Sequence, residues 1–200
     1  MVRRTRAEME ETRALLLSTA RTMFSERGYA STSMDDLTAQ ASLTRGALYY
    51  HFADKKGLLS AVVEQLDAEM DERLQAITNN AVNVWDGFRD RCRAYLEMAL
   101  EPQIQQIVLR DAKAVLGGTS LEAQHHCVAS MQHLIRHLIH LGIVADVNPQ
   151  ALALLIYGSL AEAASWIAGA EDGSARLAEG VIALDLLLSG IQAKPPAEQR

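Results

Sequence analysis

The chain has 200 residues, of which 49% are hydrophobic and 22% charged, the composition of a globular protein of one or two domains. Its net charge of −6 argues, for the chain as a whole, against nucleic acid, because phosphate contacts need Lys and Arg. No apolar run approaches the roughly 18 residues a bilayer span needs. The first residues mix Arg and Glu where a signal peptide would be apolar, and Cys92 and Cys127 make no disulfide framework. A reduced, cytoplasmic protein is therefore expected.

Four prolines, 5% aromatic residues and abundant Ala and Leu favour helices. From Met9 to Arg27, the stripe Leu16, Ala20, Met23 and Phe24 predicts an amphipathic helix, with Gly28 as its stop. Ser33 caps the next helix, with Asp36 as capping-box acid. Met34, Leu37 and Ala41 face inward before Ser42-Leu43-Thr44 breaks the helix. Thr44 caps a third short helix, Arg45 to about His51, with Leu48 and Phe52 on one side. Asp54 caps a long fourth helix striped by Leu59, Val62, Leu66, Met70, Leu74 and Ile77, ending near Asn79-Asn80.

A fifth helix fits residues 83–100, and Pro102 opens a sixth that Gly117-Gly118 interrupts. Thr119 and Glu122 form a T-x-x-E box starting a seventh helix, which runs to Leu141. Asn148-Pro149 starts the eighth, to about Ala170. Asp172-Gly173 starts the last, ending near Gly190. Nothing alternates with period two. The expected fold is all-α, with about nine helices.

Residues 31–59 carry the informative pattern. A short helix, a three-residue turn and a second short helix followed by a long one read as a helix-turn-helix. The second helix must offer outward groups to phosphates and base edges while its apolar residues hold it to the core. Leu48 and Phe52 serve the core. Arg45 at the helix start can reach guanine or a phosphate, and Gly46 permits close backbone approach. Tyr49, Tyr50 and His51 suit sugar–phosphate packing. Lys55 lies at a helix N-terminus that already favours phosphate, and Thr32 and Ser33 offer the same at the second helix. Divided by position, residues 1–60 carry a net charge of +2 and residues 61–200 carry −8, so the acidity belongs to the C-terminal body.

The stretches Gly28-Tyr29-Ala30-Ser31-Thr32-Ser33, Met34-Asp35-Asp36-Leu37, Leu43-Thr44-Arg45-Gly46-Ala47-Leu48-Tyr49-Tyr50-His51-Phe52 and Lys55-Lys56-Gly57-Leu58-Leu59 resemble the TetR family of bacterial transcriptional repressors. The resemblance in sequence covers roughly residues 10–60. It implies a DNA-binding domain (1–54) of three helices, a ligand-binding and dimerisation domain (55–191) and a tail (192–200). It also implies a homodimer on a near-palindromic double-stranded operator, released by a small effector.

Carried over by position, Thr44, Arg45, Gly46, Ala47, Tyr49, Tyr50 and His51 match the recognition helix and its start. Thr32, Ser33 and Lys55 match phosphate-contact positions. Arg3, Arg4 and Arg6 resemble a basic N-terminal arm. Two departures stand out. Ser42 occupies a turn position where the family usually has Gly, and is strained if its φ is positive. Ala47 stands where many members carry a hydroxyl.

In the body, Trp85, Phe88, Tyr95, Met98, Leu109, Met131 and Tyr157 are candidates to line a cavity for an apolar or amphipathic effector, with Asp111 as a polar anchor. Ordinary core packing and a helix-surface ion pair of Asp111 are the competing readings. His125, His126, His133, His137 and His140 lie near one another, but the stripe Val128, Met131, Leu134, Ile135 and Leu138 centres on nearly the opposite face. A solvated histidine face is therefore expected rather than a metal site. The small residues of Tyr157–Ala170 and the apolar last helix suit dimerisation. No enzyme motif and no cofactor are read. The alternatives are a helical ligand-binding module without DNA binding, and a His-based metal enzyme.

Overall fold

The computed structural model describes residues 5–193, and Arg3 and Arg4 of the expected basic arm lie outside them. Among the described residues there are nine α-helices: α1 (Arg6–Arg27), α2 (Met34–Gln40), α3 (Arg45–His51), α4 (Lys55–Asn80), α5 (Val84–Met98), α6 (Lys113–Val115), α7 (Leu121–His140), α8 (Pro149–Ala168) and α9 (Gly173–Ile191). A π-helix, Ile104–Ala112, precedes α6. One antiparallel bridge joins Val144 to Gln192. The all-α expectation holds.

The chain forms two compact units, Met1–Asp67 with Pro102–Thr119, and Ala68–Glu101 with Ser120–Arg200. The first is built from α1, α2, α3, the start of α4, the π-helix and α6. Leu16, Ala20, Met23 and Phe24 of α1 are buried, with Leu37 of α2, Leu48 of α3, Phe52, and Leu58 and Leu59 of α4. The α1 helix begins three residues before the expected Met9. The signal for that start is a capping box: Thr5 accepts from the Glu8 amide, and the Glu8 carboxylate accepts from the Thr5 amide. In α2 the expected Ser33/Asp36 box is present in both directions. The two bonds from Ser33 hold the Asp36 carboxyl below the usual carboxylate range.

In the second unit, α5, α7, α8 and α9 pack on one another. Their core includes Phe88, Leu96, Ile135, Leu138, Ile156, Ile167 and Leu188. The α7 cap falls one residue later than expected: Ser120, not Thr119, accepts from the Ala123 amide at 3.2 Å. Asn148 caps α8 by accepting from the Gln150 and Ala151 amides, with Pro149 following. The α8 helix also corrects the expectation about apolar runs. At 20 residues it is long and apolar enough to cross a membrane, with a mean hydropathy of 1.5 over an 18-residue window. Its Ala, Gly and Ser residues break the run of bulky apolar side chains while leaving the helix apolar on average.

The turn between α2 and α3 has the strain its sequence foretells. Ser42 has φ 53°, the only positive φ of a non-glycine among the described residues. A side chain in this left-handed region costs on the order of 1 kcal/mol. Ser42→Gly should therefore stabilise the chain by about 0.5–1 kcal/mol, and Ser42→Val should destabilise it by at least as much, as read by urea unfolding. Equal midpoints for Ser and Gly would show that the hydroxyl compensates for the strain.

A second strained group sits on α4. Burial, reinforced by the nearby Glu64 carboxylate, pushes the Asp67 pKa up to about 6. The folded chain thus holds this proton where the unfolded chain has released it, so ionised Asp67 opposes folding above pH 6 and has no effect below about pH 4. Asp67→Asn should accordingly stabilise the protein by about 1–2 kcal/mol at pH 7.5. The gain should vanish at pH 4. A gain independent of pH would assign it to packing instead.

Candidate nucleic-acid interface and cavity

The third helix, α3, has seven residues. It is fixed at its start by Thr44, whose side chain accepts from the Ala47 amide at 3.2 Å, and along its length by Leu48, which is fully buried. That leaves the opposite face outward. Arg45 and Gly46 are exposed, Tyr49 is 52% and Tyr50 70% exposed, and Ala47 and His51 are half-buried. A Cβ on Gly46 would meet only the Thr44 hydroxyl, at 3.9 Å, so this position is open space rather than a tight crossing within the chain.

Arg45, Tyr50 and Lys55 each have a resting partner. Arg45 pairs with Asp35 of α2 across an exposed gap. Such a pair is worth about 0–1 kcal/mol, so Arg45 can leave Asp35 at little cost. The Tyr50 hydroxyl donates to the Met9 sulfur at 3.5 Å, and its ring meets His51 edge-on. The Lys55 ammonium lies 4.1 Å from the centre of the Tyr29 ring. Burial pulls the lysine below its usual range, against the opposing pull of Asp111.

Ser33 is exposed at the start of α2. Thr32 is placed differently. It is 1% exposed, and its hydroxyl is shared between the carbonyls of Gly28, at 2.9 Å, and Met23, at 3.4 Å. Its side chain therefore braces the end of α1 and is not offered to a phosphate.

The π-helix holds this head from behind. Gln103 accepts from the Arg21 guanidinium at 2.7 Å, and Asp111 accepts from the Tyr29 amide at 2.8 Å. Gln106 comes so close to Gly28 (φ 75°) that a Cβ there would lie 3.2 Å from its amide nitrogen. Glycine is needed at this position for its backbone angle and for that approach. Asp111 thus serves the first unit. Leu109, on the same π-helix, is half-buried and also in that unit.

The second unit contains a cavity of about 30 Å³ between α4, α5, α7 and α8. Tyr95, Met131 and Tyr157 line it, together with Leu74 and Leu160. So do Arg91, Cys92 and Cys127, which the sequence did not single out. Phe88 and Met98 are core residues, 0% and 2% exposed, and the half-buried Trp85 stacks at a tilt on Phe88. Burial pushes the Cys92 thiol up to about 12, so it holds its proton at neutral pH. His125, His126, His133, His137 and His140 are all exposed. Among the described residues no group of three His, Cys, Asp or Glu is arranged to hold a metal ion.

A short capped helix with a polar outward face, braced by two others, has the geometry of a DNA-binding helix-turn-helix. Residues 16–62 match the model of the bacterial regulatory proteins of the tetR family, and residues 85–191 that of the tetracyclin repressor-like C-terminal domain. The chain belongs to the TetR family.

A crystal structure of a TetR-family transcriptional regulator from Pectobacterium atrosepticum is 76% identical, with a TM-score of 0.91 over 96% of this chain and 100% of that one. The transcriptional regulator TtgR of Pseudomonas putida is 41% identical over 76 residues, 38% of this chain and 36% of its own. The transcriptional repressor BepR of Brucella suis is 32% identical over 108 residues, 54% of this chain and 52% of its own. The chain spans between about a third and about half of the length of these two curated relatives.

The Asp111–Tyr29 bond joins the π-helix to the loop before α2. Removing a partly buried acceptor costs about 1–3 kcal/mol. Asp111→Ala should therefore speed hydrogen exchange at the Tyr29 amide and lower stability by that amount. Unchanged exchange there would show that the loop is held by other contacts.

Proposed function

We propose that the chain is a dimeric, ligand-responsive repressor acting in the cytoplasm as a regulator rather than an enzyme. The observation that carries this reading is the outward face of α3: Arg45, Tyr49 and Tyr50 stand exposed while Leu48 is fully buried behind them. A helix seated in this way offers its N-terminal residues to the major groove. Arg45 reads a base edge or phosphate, Gly46 and Ala47 allow close approach, and Tyr49, Tyr50 and His51 pack on the sugar–phosphate backbone. Ser33, Thr44 and Lys55 add phosphate contacts. We place the DNA-binding domain at residues 1–54 and the regulatory domain at 55–191.

Dimerisation is assigned to α8 and α9. Leu155, Ile182 and Leu186 are each more than 70% exposed, and Leu154, Leu187 and Trp166 are also exposed. An apolar face of this kind on a protein of this class fits a partner subunit. Two identical heads then require an operator with matching two-fold symmetry. The cavity of the second unit is the effector site, with Tyr95, Met131 and Tyr157 in its wall.

The test is fluorescence anisotropy with operator-length DNA from the chain's own upstream region, titrated at several salt concentrations. Binding should weaken steeply with salt. Lys55→Ala should weaken all sequences alike and flatten the salt slope by about one. Arg45→Ala should cost about 1–3 kcal/mol and relax preference at one position of each half-site. Absence of a bound species at low salt, from a chain that light scattering shows to be dimeric, would leave the ligand-binding module as the better reading.

A further inference from the structure

We propose that the cavity of the second unit takes a small organic monocarboxylate, whose carboxylate replaces Asp71 on the guanidinium of Arg91. This rests on the ligand-responsive reading above and names the chemistry of its effector. Arg91 is 5% exposed and is the only charged residue in the buried class among the described residues. A buried guanidinium is stable only with an anion beside it. Here Asp71 is that anion: its Oδ1 accepts from Arg91 Nη2 at 3.2 Å. This contact is long for a charge-assisted bond and uses one of the five N–H donors, where a well-formed bidentate pair uses two at about 2.7–2.9 Å.

The two partners are unequally placed. Arg91 lines the cavity and Asp71 does not. Asp71 has other partners, accepting at Oδ2 from Gln75 Nε2 at 2.6 Å and lying 3.2 Å from His126 Nε2. If Arg91 turns to a ligand, Asp71 keeps Gln75 and the exposed His126, so neither charge is abandoned. The exchange trades one carboxylate for another in better geometry.

The rest of the wall selects the remainder of the molecule. Leu74, Leu160 and Met131 are apolar, and Tyr95 and Tyr157 present rings. A cation would meet Arg91 as the only charged lining residue. A phosphate dianion would bring a second charge with no second cation in the wall. A single negative charge on an apolar body satisfies both. At about 30 Å³ the resting cavity has space for only a few waters, less than a one-ring or short-chain acid occupies, so such an acid binds only if the wall opens around it. Its entry requires side chains to turn, and Met131, unbranched and polarisable, is suited to that. Asp71 lies on α4, the continuous helix that begins at Lys55, so the exchange acts on the helix that carries a proposed phosphate contact.

The experiment is calorimetric titration of the full chain with benzoate, phenylacetate and hexanoate, each beside its neutral amide. At least one acid is expected to bind one per chain and at least tenfold more tightly than its amide. Arg91→Gln should remove that difference. Because this variant also leaves Asp71 without its main partner and can unfold the unit, the decisive variant is Asp71→Asn. It removes the competitor but leaves the buried Arg91 without its anion, so its fold is checked by thermal unfolding. The folded variant should bind the acid several-fold more tightly, gain more thermal stability from the acid than the unchanged chain does, and bind the amide as before.

Three acids that bind no better than their amides would overturn the proposal, and so would Asp71→Asn that leaves the acid unchanged or weakened. Operator anisotropy on the same preparation separates the two readings. DNA binding without acid preference defeats this inference alone. Acid preference in a chain that never binds DNA supports the site and defeats the repressor reading.

Discussion

A helix of seven residues does not persist alone in water, because nucleation fixes several residues before propagation returns any gain. Everything the α3 face does therefore depends on what holds it from outside. Leu48 supplies one anchor, at 0% exposure, and Phe52 a second, at 5%. Thr44 closes the N-terminal end, and the Phe52 amide bonds back to the Leu48 carbonyl at the other. With both ends and the inner face fixed, the outer residues need not contribute to stability. They are free to be chosen for chemistry. This is why two large tyrosines can stand more than half exposed on so short an element.

The same constraint explains the electrostatics. A charge on a rigid face needs a partner while no ligand is present, and that partner must be cheap to lose. Asp35 meets Arg45 across exposed surface, where screening makes the pair weak. Lys55 rests over the Tyr29 ring, within the pull of Asp111. Net charge over the whole chain is a poor guide here. The head is mildly positive and the body strongly negative, and the contacts a phosphate would make involve a few residues of the head.

The elements read easily from the sequence are those governed by local chemistry. Ser33 and Asp36, three residues apart, foretold a capping box, and Asn148-Pro149 foretold a helix start. Thr5 and Glu8 carry the same signal, four residues ahead of where the apolar stripe alone puts the helix start. Ser42 was legible as a conflict between a turn that favours glycine and a residue with a Cβ. Three features were not legible. The π-helix differs from an α-helix by one residue in its hydrogen-bond register, and composition does not encode that shift. Thr32 looked like a phosphate ligand because an exposed Thr and one folded under its own turn have the same local sequence. Arg91 resembled any surface arginine on α5 until Asp71, twenty residues earlier in the chain, came beside it.

The apolar surface of α8 and α9 ties these threads together. By length and hydropathy α8 passes for a membrane span, yet its burial is one-sided. Ala153, Ile156, Leu160, Ala164 and Ile167 form a buried stripe, while Leu154 and Leu155 point outward. Trp166 on the same helix is covered by the Arg176 guanidinium at 4.6 Å, and Arg93 of α5 forms a two-point pair with Asp185 of α9. A helix surrounded by lipid has no use for such polar anchors at its neighbours' edges, and unsatisfied charges in hydrocarbon are costly. A helix shared between its own core and a second subunit needs both features: an apolar stripe on each side, and charged pairs that fix its register. The burial pattern of α8 and α9 has both features, and it is the ground of the dimer proposed above.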